Sequence, residues 1–129
     1  SSLAYAQPIE GEEPQVCQNA ISTHEMKACA DAYFEMADAQ LNRMWADVRA
    51  CFALADNNDS WQKLIQGQRG WIKFRDDFCE AKATDEWGTG TGWGLGYQGC
   101  RTQETQARTE YLSGFFSRVY CEESESGEQ

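Results

Sequence analysis

The chain has one histidine, His24, two prolines and no CxxC pair. A lone histidine beside a helix start has no acid–base partner in sequence, and a zinc site takes several ligands. Metal-assisted hydrolysis and Cys/His nucleophilic chemistry are therefore not expected. No phosphate loop, nucleophile elbow or dinucleotide fingerprint occurs. Asp76-Asp77 and Glu122-Glu123 are adjacent in sequence rather than helically spaced, and read as solvated faces. The chain is expected not to be an enzyme and to need no cofactor and no metal. No apolar run approaches the ~20 residues that span a membrane. Cations are also scarce, 11 against 21 acids, for a net charge of -10. Phosphates would repel such a surface, so no nucleic-acid partner is expected. A basic protein partner suits it.

What is abundant is cysteine. Six in 129 residues, with no metal-type spacing, read as a disulfide framework. Disulfides persist in oxidising compartments, which implies a periplasmic or secreted protein. "SSLAYAQP" carries Ala4-Tyr5-Ala6, a small-x-small pattern of the kind signal peptidase cleaves. Residues 1–16 accordingly read as a disordered leader or signal-peptide remnant, 17–121 as one helical domain, and 122–129 as an acidic tail.

Helical periodicity dominates the middle of the chain. Ser22 and Glu25 form a capping-box pattern. Met26, Ala30, Tyr33, Ala37, Leu41, Met44, Val48, Cys51 and Ala55 then recur in steps of three and four, which predicts a helix over 23–55. "DNNDS" stops it. Asp59 caps a second helix with an apolar face of Trp61, Leu64, Ile65, Trp71, Ile72 and Phe78. Six glycines in "EWGTGTGWGLGYQGC" predict an irregular glycine-rich loop between helices two and three. A third helix is expected over 100–120. The fold class is all-α: an antiparallel helical hairpin plus a third helix, disulfide-stapled, with one long loop.

Helix lengths constrain the cysteines. At about 1.5 Å per residue, Cys29–Cys51 and Cys100–Cys121 span similar distances. Cys51 and Cys121 therefore meet at one pole, and Cys17, Cys29, Cys79 and Cys100 gather at the other. Three pairings of those four remain. The hairpin register places Cys29 beyond easy reach of Cys79, which favours Cys17–Cys29 with Cys79–Cys100. The same register sets Asp38 level with Arg75, Asn42 near Trp71, and Trp45 near Gln68. An Arg75–Asp38 ion pair is expected between the helices.

Three stretches resemble a known family. "MKACADAYFEMADAQLN", "GQRGWIKFRDDFC" and "GWGLGYQGCRTQETQARTEYL" are similar to the ordered motifs of the bacterial LprI-like lysozyme-inhibitor domain, from Cys17 to Leu112. The resemblance implies an exported protein and four shared cysteines, Cys17, Cys29, Cys79 and Cys100, with Cys51 and Cys121 as additions. Asp38, Asn42, Gln68, Trp71, Arg75 and Arg108 match motif positions and read as architecture.

The best candidates for contact lie in the glycine-rich stretch. Trp87, Trp93 and Tyr97 are aromatics of the kind that anchor interfaces, and Asp85 and Glu86 suit a basic cleft. The function expected is steric and electrostatic blocking of a cell-wall hydrolase, such as a cationic lysozyme or another peptidoglycan hydrolase. The alternative is a periplasmic interaction or immunity module with a different protein partner.

Overall fold

The computed structural model describes residues 13–116. A 3-10 turn, Gln15–Cys17, precedes three helices: α1, Thr23–Leu54; α2, Asn58–Trp87; and α3, Trp93–Leu112. α3 runs on into a π-type turn over 113–116. No strand occurs among the described residues, and the all-α expectation holds. No described helix is long and apolar enough to cross a membrane.

Local chemistry sets the boundaries. Glu25 N–H donates to Ser22 Oγ at 3.1 Å, and Ser22 N–H donates to Glu25 Oε1 at 3.0 Å. Hydrogen bonds from Ser22 hold the Glu25 carboxyl below its ordinary range. α1 ends where Asp56 turns left-handed, at φ 52. Asn57 N–H then reaches back to the Phe52 carbonyl and Asp56 N–H to that of Ala53, the paired bonds of a Schellman stop. Asn57, rather than Asp59, caps α2, its Oδ1 accepting from Ser60 N–H at 3.2 Å.

α3 is the middle element. It packs closely along both α1 and α2, which touch each other far less. The cause is side-chain size. Thr102, Thr105 and Thr109 lie buried on α3 and let helix axes approach, whereas the space between α1 and α2 is spanned by Trp45 and Trp61, 5.0 Å apart. α1 and α3 run parallel, as expected: Gln98 Nε2 meets Asp31 near one end, and Phe52 meets Phe116 near the other. The core, at that second end, holds Leu41, Met44, Val48, Phe52 and Leu112. Burying each large member stabilises by roughly 1.5–3 kcal/mol.

Two bridges close the first end. Cys17–Cys29 ties the 3-10 turn to α1, and Cys79–Cys100 ties α2 to α3, with Cα–Cα distances of 4.6 and 5.5 Å. Both match the favoured pairing. Cys121, and with it the expected Cys51–Cys121 bridge, lies outside the described residues. So do residues 1–12, most of the expected leader, the end of the expected third helix, and the acidic tail.

Besides the cap of α2, four expectations about packing and boundaries require correction. The glycine-rich loop is only Gly88 to Gly92; Gly94, Gly96 and Gly99 lie inside α3. Two of them make room for other elements, since a Cβ on Gly94 would meet Lys27 Cε at 2.8 Å and one on Gly96 would meet Trp87 Nε1 at 2.6 Å. That packing offsets part of the helix cost of about 1 kcal/mol per glycine. Gln15 and Val16, expected in the leader, form the 3-10 turn. The Arg75–Asp38 pair is absent: Arg75 Nε donates to Asp76 Oδ1 at 2.9 Å, and Nη1 to Thr105 Oγ1 at 3.3 Å. Arg75 bonds Thr105 because α3 packs closely along α2, and it meets α1 only by lying over the Phe34 ring, 5.3 Å from its centroid. Finally, Ile72 and Phe78 are exposed; the buried positions of α2 are Gln68, Arg75, Cys79 and Ala83.

Candidate functional site

The first end of the bundle gathers aromatics and acids. Gly88, at φ 59, ends α2, a left-handed conformation that glycine adopts without strain. Its N–H donates to the Thr84 carbonyl at 2.8 Å, and Gly90 N–H donates to that of Trp87 at 2.8 Å. This tight return folds the Trp87 indole onto the start of α3. A Cβ on Gly92 would lie 2.2 Å from the ring, and one on Gly96 only 2.6 Å from its Nε1. The indole covers two glycines and remains 46% exposed.

Trp93 and Tyr97 are helical rather than looped. Their rings stack at 4.9 Å. Trp93 Nε1–H donates to Thr84 Oγ1 at 3.0 Å, and the Arg101 guanidinium lies 5.0 Å from the Tyr97 ring. Both are partly buried and stiffen the end of the bundle, while Trp87 is the more exposed ring. Of the two acids expected here, Glu86 pairs with Lys82 at 2.6 Å. Asp85 is exposed and makes no ion pair among the described residues.

Sequence reasoning missed the neighbouring carboxylates. Asp77, Glu80, Ala81, Thr84 and Asp85 form one exposed stripe along α2. Thr84 belongs to this stripe and its Oγ1 also accepts from Trp93 Nε1–H, so the acidic surface and the aromatic cluster are continuous. Phe74 and Phe78, stacked at 5.7 Å and exposed, flank it. An aromatic pair at i, i+4, off the stripe that contains Gln68 and Arg75, was the available signal.

Beneath this surface runs a polar network that joins the helices. Asp76 Oδ1 accepts from both Arg75 Nε and Arg101 Nε, at 2.9 and 3.0 Å. Asp76 is thus a junction rather than the solvated acid expected. Arg101 Nη1 donates to Gln98 Oε1, Gln98 Nε2 to Asp31 Oδ1, and Lys27 Nζ to both oxygens of Asp31. Burial pushes the Asp31 carboxyl up, but the bonds from Lys27 and Gln98 and the charges of Lys27 and Arg101 outweigh it. Asp31 titrates below its ordinary value. Arg101 also lies 3.9 Å above the Phe34 ring.

The architectural residues divide. Gln68 Oε1 accepts from Arg108 Nε at 2.9 Å, and Arg108 lies 5.4 Å from the Trp71 ring. Burial lowers the Arg108 pKa, and the Tyr111 charge partly offsets this. Gln68, Trp71, Arg75 and Arg108 therefore meet in one α2–α3 seam, while Asp38 and Asn42 lie on α1 outside it. Among the described residues no group of three or more His, Cys, Asp or Glu side chains is placed to hold a metal.

Trp87 gives a direct handle on this surface. Gly96→Ala puts a methyl where the indole rests, and an exposed ring yields by swinging outward. The expected result is a change in tryptophan emission and near-UV dichroism, with stability altered by less than about 1 kcal/mol. Emission identical to that of the parent would contradict the packing described.

Three helices closed by disulfides present an acidic, aromatic-edged surface at one end. The chain belongs to the family described as lysozyme inhibitor LprI, whose model matches residues 15–112. It is also similar to an uncharacterized protein, R02472, of Rhizobium meliloti (strain 1021): 28% identical over 120 residues, which cover 85% of this chain and 86% of the relative. No solved structure matches significantly.

Proposed function

We propose that this is an exported bacterial envelope protein that binds and inhibits a cationic cell-wall hydrolase of the lysozyme type. Membership of an inhibitor family carries the reading. Glu80 and Asp85, with Asp77 beside them in its pair with Lys73, supply the negative field that steers a cationic enzyme. Trp87 supplies the exposed apolar face, with Glu86 beside it and Trp93 and Tyr97 holding the end rigid. Inhibition is by occlusion of the substrate cleft and involves no chemistry. The described bridges support export to an oxidising compartment.

The test is lysis of a bacterial cell-wall suspension by a cationic lysozyme, with purified protein added at low and high salt. Inhibition is expected at low salt and to weaken as salt screens the field. The triple variant Asp77→Asn/Glu80→Gln/Asp85→Asn is expected to inhibit about tenfold less well or worse, as loss of several complementary charges does. Absence of both inhibition and binding at low salt removes the proposal.

A further inference from the structure

A second surface lies towards the other end, in the space that α1 and α2 leave between them. It is a groove of about 930 Å3. In a chain of net charge -10, its lining contains no carboxylate but includes Arg49 and Arg69. Both arginines are exposed, and neither makes an ion pair among the described residues, which is also true of Arg43, Lys63 and Arg108. Between them stand Trp45 and Trp61, partly buried and in contact at 5.0 Å, with the amides of Asn42 and Gln68 also in the lining. Gln68 is 8% exposed, and its Oε1 already accepts from Arg108. Its Nε2 is therefore the half of the amide left to donate.

We propose that this groove binds an oligosaccharide that carries carboxylates. Indole faces match the C–H faces of sugar rings, amides match hydroxyl and acetamido groups, and guanidinium forks match carboxylates. The spacing narrows the class. Trp61 touches both Trp45 and Phe52, which sets it level with Arg49. Arg69 lies two turns further along α2, an axial offset of about 12 Å at 1.5 Å per residue, and the long arginine side chains reach across the width of the groove. Carboxylates on alternate sugars of a chain recur at about that interval, so such a ligand reaches both arginines while its intervening ring lies over the indoles. An acidic peptide would satisfy the charges but leave the indoles and amides without a matching partner.

Isothermal titration of the whole protein at low ionic strength tests this with three probes. A hyaluronan octasaccharide has a carboxylate on every second sugar, a chitin hexasaccharide has none, and a hexaglutamate peptide has charge without sugar. The hyaluronan fragment is expected to bind about tenfold tighter than the chitin fragment or better, and Arg49→Gln/Arg69→Gln to remove that advantage. Both substitutions are at exposed positions, so an unchanged melting curve accompanies the loss. Arg43→Gln, an exposed arginine outside the groove, leaves affinity unaltered. Failure of hyaluronan to bind, equal affinity for chitin, an unaffected double variant or an equal loss in the Arg43 variant each overturns the proposal. Tighter binding of hexaglutamate also overturns it, by making the groove a peptide site.

Discussion

Replacing Cys79 and Cys100 together with alanine is expected to lower stability by about 3 kcal/mol, the typical effect of releasing a loop of this length. For a domain near this size that is a fall of roughly 10–20 °C in melting temperature. The bridge joins α2 to α3 across a separation of 21 residues, and Cys79 is fully buried. Removing it frees the start of α3 from α2, at the end where the apolar core does not reach. Cys17–Cys29 provides the contrast. It closes a separation of 12 and secures only the 3-10 turn to α1. Its double alanine variant is expected to lose less, in the same scanning calorimetry. Equal losses from the two variants would show that the second bridge does not organise the helix packing.

Arg75→Ala is expected to cost about 3 kcal/mol, the scale of breaking a buried, hydrogen-bonded charge pair. Arg75 is 5% exposed. Its guanidinium bonds Asp76 and Thr105 and lies 5.3 and 5.2 Å from the rings of Phe34 and Trp71. The loss stays near the low end of the roughly 3–5 kcal/mol such breakage costs, because Asp76 keeps Arg101 and is partly solvated. Arg75→Lys is not expected to restore stability. An ammonium lacks the planar fork that reaches a carboxylate and a hydroxyl while lying against two rings. Chemical denaturation of the three proteins measures this, and full stability in the lysine variant would refute the role given to the fork.

Both residues show what was legible in the sequence. Period and caps disclosed α1, because its buried face from Ala37 to Phe52 is apolar but for Gln40 and its start has a reciprocal cap. α2 was harder to read, because its buried stripe includes Gln68 and Arg75. Apolarity alone pointed to Ile72 and Phe78, which are exposed. α3 was misjudged at its start for a related reason. Its glycines were weighed for helix propensity, but Gly94 and Gly96 are there because Lys27 and Trp87 occupy the space of a side chain, a cause that lies in other elements. The candidate site followed the same pattern. Trp87, Trp93, Tyr97, Asp85 and Glu86 were found from composition, and the structure gathers them at one end. Asp77 and Glu80 join them through the face of a helix, and Asp76 through two arginines from different helices, relations that adjacency in sequence does not carry.

Hydrogen exchange on this protein with and without a cationic lysozyme tests the central claim most directly. The account predicts slowed exchange in the outer face of α2 and the start of α3, residues 77–97, with the α1–α2 turn unaffected. No slowing anywhere, or slowing confined to the α1–α2 end, would contradict it.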